Sequence, residues 1–142
     1  MSDAATPEAG GLLRFRPGGL EAIDSCEMAE SAVVVADSWF VRDGRVLGLD
    51  LHRTRFLRSV PPSALGEGER FWLAAIDALP RDGEWFPRVD LRNIGGRSEF
   101  QLRLRPAPTR TRSVRVATNR GRDPRVSPGT KGPDLAAMMR LR

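Results

Sequence analysis

Few arrangements can accommodate the run Ala32-Val33-Val34-Val35-Ala36, which continues into Asp37-Ser38-Trp39-Phe40-Val41 and closes on Arg42-Asp43-Gly44-Arg45. Consecutive β-branched residues are stiff at χ1 and suit a pleated, half-buried surface, so this run predicts a strand. Asp-Gly between apolar runs predicts a tight hairpin turn, because both central positions tolerate positive φ. The returning strand is expected over Val46 to Leu49. At Asp50 the apolar period changes: Leu51, Thr54, Phe56-Leu57 and Val60 recur at helical spacing until Pro61-Pro62 stops the element, with Asp50 available as N-cap. His52 and Arg55, three residues apart, then share one helix face and can act on one neighbouring group.

The remaining segments follow the same logic. Leu12 to Arg16 and Leu20 to Ile23 read as two short strands around the turn Pro17-Gly18-Gly19. A second helix is predicted from Gly68 to Leu79, ended by Pro80. Trp85 to Ile94, Glu99 to Leu104 and Ser113 to Ala117 read as further strands. The strict alternation Phe100-Gln101-Leu102-Arg103-Leu104-Arg105 predicts a sheet with one apolar and one basic face. Hairpins with interposed helices give an α+β class, a small antiparallel sheet with packed helices.

Composition excludes several functions. No apolar run approaches the roughly 18 residues that span a bilayer, and the N-terminus lacks a basic-then-apolar leader, so a cytoplasmic protein is expected. One cysteine, Cys26, and one histidine make an internal disulfide impossible and a Cys/His zinc site improbable. No nucleophile-elbow pattern surrounds any serine. Charge is segregated: residues 103–131 carry nine positive charges against Asp123 alone. Such a strip could hold nucleic acid or another polyanion by counterion release, although it contains no aromatic residue for stacking and no recognition-helix pattern.

The basic residues are 22 arginines and one lysine, Lys131. By composition alone a single lysine reads as a solvated surface residue. Lysine nevertheless does what arginine cannot, since its neutral amine adds to a carbonyl. This one follows the Gly/Pro-rich stretch from Thr118 to Thr130 and precedes Gly132-Pro133-Asp134-Leu135, which reads as the start of another helix.

In order and content, Arg42-Asp43-Gly44-Arg45-Val46 through Leu51-His52-Arg53-Thr54-Arg55-Phe56-Leu57-Arg58-Ser59, and Val114-Arg115-Val116-Ala117-Thr118 through Gly129-Thr130-Lys131-Gly132-Pro133-Asp134-Leu135, resemble the class IV aminotransferase family. These are the fold-type IV pyridoxal-phosphate enzymes, including branched-chain and D-amino-acid aminotransferases and aminodeoxychorismate lyase. The resemblance covers roughly residues 32 to 142. It implies pyridoxal 5'-phosphate as cofactor, Lys131 as the catalytic Schiff-base lysine and cofactor anchor, Arg55 as the cofactor-phosphate ligand, an amino-bearing small-molecule substrate, and a homodimer. His52 is expected to orient its helix rather than react.

Residues 1–11 are small, polar and proline-bearing and read as a loose N-terminus; the resemblance then implies an N-terminal α+β domain over 12–118, an interdomain loop over 119–130, and over 131–142 the start of a second domain. Without the rest of that domain the piece is expected to be inactive. The chain departs from the family in having Asp37-Ser38-Trp39-Phe40 where relatives usually have a Phe-Glu or Phe-Thr pattern, Asp134 where an asparagine is common, and no tyrosine. Substrate class and the choice between transamination and lyase chemistry stay open. So does the other class of function, a non-enzymatic arginine-rich module that binds a polyanion.

Overall fold

The computed structural model of the chain describes residues 11–24 and 31–141. Cys26 and nearly all of the expected loose N-terminus lie outside them. In chain order the elements are β1 (Leu12–Arg16), β2 (Gly19–Ala22), β3 (Ser31–Ser38), β4 (Val41–Arg42), β5 (Arg45–Val46), α1 (Leu49–Arg58), a 3-10 turn (Pro62–Ala64), α2 (Leu65–Asp77), β6 (Glu84–Trp85), β7 (Arg88–Ile94), β8 (Arg97–Arg103) and α3 (Leu135–Met139). They form an antiparallel five-stranded sheet in the order β2-β1-β8-β7-β3 and a small sheet in the order β5-β4-β6. The α+β class expected from the sequence is what the chain adopts.

Register explains the core. Leu13, Leu102 and Val89 lie in one cross-strand row, and Phe100, Leu91 and Val35 in another. Because side chains alternate across a strand, both rows present one apolar face. Phe56 and Leu57 of α1 and Phe71, Trp72 and Ala75 of α2 cover that face. Phe71 stacks on Phe100 with ring centroids 5.1 Å apart. The approach is close enough that a Cβ on Gly68 of α2 would lie 3.2 Å from Phe100. Losing a fully buried aromatic here removes both transfer free energy and packing, about 3–5 kcal/mol for Phe100→Ala.

The hairpin turn forms as expected, with Asp43 at φ 48° and Gly44 at φ 71°. Two strands are shorter than expected: Phe86 and Pro87 split Trp85 to Ile94 into β6 and β7, and of Val46 to Leu49 only Val46 lies in a strand, Leu49 opening α1. Four further expectations are corrected. The run from Ala32 to Val41 does not form one strand: Trp39 and Phe40 separate β3 from β4, and Trp39 is thereby delivered into the core at 2 % exposure. Helix α1 is capped by Gly48 in the left-handed conformation, not by Asp50, which sits in the first turn where its charge suits the helix dipole. Ser113 to Ala117 forms no strand. Val114 and Val116 are 77 % and 89 % exposed, Pro106 and Pro108 interrupt the approach from β8, and the outer edge of β3 is already engaged by Lys131.

The fourth correction concerns the polar face of the sheet, which is not simply basic. Arg16 pairs with Glu99 at 3.0 Å, and Arg88 and Arg92 hold Asp90 at 2.7 and 3.3 Å. Acidic residues contributed by β7 and β8 thus neutralise the arginines that the alternation exposes.

Candidate active site

Strand β3 is an edge strand, and a bulge between Val33 and Val35 resets its faces. Beyond the bulge Asp37 pairs with Val89 of the apolar rows and so lies on the helix-covered side of the sheet. Asp37 is completely buried. An ionised carboxylate there must find strong donors. Helix α1 packs against β3 and supplies them at i and i+3. Arg55 donates Nε to Oδ2 at 2.7 Å and Nη2 to Oδ1 at 2.6 Å, a two-pronged grip. The Nδ1 of His52 lies 3.1 Å from Oδ1, and its ring packs against Trp39 with centroids 5.6 Å apart.

The fourth partner comes from far along the chain. Lys131, 94 positions after Asp37, places Nζ 3.2 Å from Asp37 Oδ1 and 3.4 Å from Ser38 Oγ. Its backbone explains how it arrives. The outward N–H of Ala36 on the β3 edge donates to the carbonyl of Lys131 at 2.8 Å. Gly132 follows at φ 130°, and a Cβ there would lie 2.6 Å from the Ala36 nitrogen, so only glycine lets the loop touch the strand. Asp134 steadies the loop by accepting the backbone N–H groups of Val126 and Ser127 at 2.9 and 2.7 Å.

The charges act on one another. Burial pushes the Asp37 carboxyl up, but the Arg55 hydrogen bond, the Lys131 charge and the His52 contact outweigh it and hold the group below the usual carboxylate range. The same hydrogen bond raises Arg55 further above its already high value. Beside the cluster lies an open cleft of about 300 Å³, lined among others by Arg55, Arg125, Thr130, Lys131, Asp134 and Leu135. The side chains of Arg55 and Lys131 are 46 % and 32 % exposed, so both reach solvent from a buried anchor.

Sequence reasoning singled out His52, Arg55 and Lys131, and the structure brings all three to one carboxylate. It missed the carboxylate itself. A signal was present: Asp37 is the only charged residue in the run from Ser31 to Val41, set in a strand of Ala and Val that otherwise has no use for charge. Among the described residues no group of three or more His, Cys, Asp or Glu could hold a metal ion. The cleft offers an amine and two guanidinium groups, Arg55 gripped by Asp37 and Arg125 by Asp123, and both Asp134 oxygens accept backbone amides; the donors left over suit an anionic group rather than a metal ion.

No protein-family model matches the chain, and no curated protein matches it. Among the described residues no helix is long and apolar enough to cross a membrane.

Proposed function

We propose that this chain carries the lysine and phosphate-side residues of a pyridoxal-phosphate enzyme of the class IV aminotransferase kind, acting on an amino acid or another small amino-bearing substrate. The observation that carries the proposal is the convergence of Arg55 and Lys131 on Asp37 at the wall of one cleft. The family resemblance implies both residues at one cofactor. Homodimer assembly belongs to the same reading.

When bound, pyridoxal phosphate supplies an electron sink for bonds at the substrate α-carbon. The chain's own residues do the rest. Arg55, its Nε and Nη2 fixed by Asp37, would hold the phosphate through Nη1, the nitrogen left uncommitted. Lys131 provides the amine that anchors the carbonyl and, when that amine is free, a group that carries a proton at Nζ. His52 holds the Asp37 end of helix α1 in register. Transamination and lyase chemistry both use this set.

The one-lysine composition makes the test clean. Besides the N-terminal α-amino group the chain has a single primary amine, at Lys131. Incubation with pyridoxal phosphate, borohydride reduction and peptide mass spectrometry are expected to find the label on Lys131 in preference to the N-terminus. Arg55→Leu should weaken labelling about tenfold, the equivalent of one lost charge-assisted contact. Label confined to the N-terminus overturns the reading.

One observation favours a polyanion module instead: Arg112, Arg115, Arg120 and Arg122 are exposed on an irregular segment. That reading predicts salt-dependent nucleic-acid binding lost on charge reversal at Arg112 and Arg115, with no labelling of Lys131.

A further inference from the structure

The structure assigns Asp37 as a positioning residue that parks the Lys131 amine and locks the Arg55 fork, while being built to release the amine; this rests on the reading of Lys131 and Arg55 above. The argument is a count of donors. Oδ1 of Asp37 faces Arg55 Nη2 at 2.6 Å, the Ser38 backbone N–H at 2.7 Å, His52 Nδ1 at 3.1 Å and Lys131 Nζ at 3.2 Å. A carboxylate oxygen has about two lone-pair sites, so Oδ1 is oversubscribed. Oδ2 is met by Arg55 Nε at 2.7 Å. The carboxylate is therefore satisfied without the lysine.

Three of these groups, Arg55, Ser38 and Lys131, can only donate, whereas His52 Nδ1 also faces Arg55 Nη2 at 3.2 Å and donates in one tautomer alone; the four also differ in how they are mounted. Arg55 and His52 stand on helix α1, and Ser38 is the next residue of β3 itself. Lys131 alone comes from an irregular loop, and its contact is the longest of the four. An amine that leaves Asp37 to bind a carbonyl compound does not strand a buried charge, because Arg55 stays in place on both oxygens. While the amine is free, the carboxylate keeps it beside Arg55, near the position where a phosphate-bearing carbonyl compound would be held. The same carboxylate thus fixes the spacing of the two groups.

The test reads the amine directly and needs no loaded enzyme. The folded chain is treated at fixed pH with an acetyl N-hydroxysuccinimide ester, and the ratio of acetylation at Lys131 to that at the N-terminus is measured. Asp37→Asn is expected to raise the ratio about tenfold, because the neutral amide no longer holds the amine in a charge-assisted contact. Asp37→Glu should return it to within about twofold of the original, a rescue that a purely structural aspartate would not give. Asp90→Asn, which alters a buried carboxylate on the other face, should leave the ratio unchanged. Should Asp37→Asn fail to fold, Arg55→Gln provides the second reading: with the fork removed, Asp37 turns wholly to the lysine and the ratio falls. A ratio unmoved by folded Asp37→Asn, or one that rises in Arg55→Gln, overturns the assignment. Pyridoxal phosphate labelling of Lys131 with an unmoved acetylation ratio would sink the role of Asp37 alone, whereas a moved ratio without such labelling would sink the cofactor reading alone.

Discussion

Asp37 and Asp90 stand one row apart on neighbouring strands, since β3 and β7 pair Ala36 with Asp90 and Asp37 with Val89. They therefore point to opposite faces of the same sheet. Both are buried, and both are held by arginine. Asp90 is held by Arg88 and Arg92 from its own strand, two positions before and after it. Those arginine side chains are only 24 % and 14 % exposed. Asp37 is held from helix α1 and from a distant loop, by side chains 46 % and 32 % exposed. A local, enclosed network ties the sheet together and offers nothing to a ligand. A network assembled from three separate elements, with its cations reaching a cleft and a lysine among them, can exchange a partner.

The largest effects should come from removing the carboxylates, in the order of their partners' burial. Asp90→Ala leaves two poorly hydrated guanidinium groups and should cost about 3–5 kcal/mol in urea unfolding. Asp37→Ala should cost less, about 2–3 kcal/mol, because Arg55 and Lys131 can regain water. The reverse order would break the distinction between an enclosed and an open network. Acid titration sharpens it. The Asp37 carboxyl is held low in the folded protein, so its contribution is complete above the ordinary unfolded value of about pH 4 and is lost as pH falls through the lower folded value. Stability measured from pH 6 down to pH 3 should therefore fall more steeply in the original chain than in Asp37→Asn.

Much of this was legible in the sequence because the signals were local. Periodicity located both longer helices and most strands to within a few residues, and the Asp-Gly turn lies where its φ requirement put it. That Arg55 and Lys131 serve one site was expected only through the family resemblance, and their meeting on Asp37 was not expected at all. Asp37 was missed because a buried aspartate in an apolar strand carries no spacing rule of its own; its role exists only when α1 and the loop arrive from 18 and 94 positions away. The strand expected over Ser113 to Ala117 failed for a related reason. Alternation can specify a strand's faces, but it cannot supply the free edge the strand must pair with, and Lys131 engages the edge of β3.

That engagement can be broken alone. Gly132→Ala places a Cβ against the Ala36 nitrogen and demands a φ that L side chains rarely adopt. The loop should lift from β3, with loss of the Ala36 to Lys131 hydrogen bond and a cost of about 1–2 kcal/mol. The measurement that separates this from a general loosening is amide exchange. Protection at Ala36 should fall well before that at Leu91 or Phe100, which are bonded within the sheet. Equal loss at all three would mean that the loop is part of the core rather than an addition to its edge.

The smallest expected effect is the most diagnostic of the open network. Lys131→Ala removes one of four polar groups crowding Oδ1 and leaves Asp37 with Arg55, His52 and the Ser38 amide. Its cost in urea unfolding should stay below about 1 kcal/mol, within the range of a part-exposed ion pair. Arg92→Ala, at the enclosed Asp90, removes a less exposed cation that also donates to Ser31 at 2.9 Å, and should cost more. If deleting the lysine proved the more damaging change, Lys131 would be a structural tie like the arginines of Asp90. A small cost would mean that the fold barely needs this lysine, while it does need the arginine beside it, as the proposed exchange of the amine between Asp37 and a ligand requires.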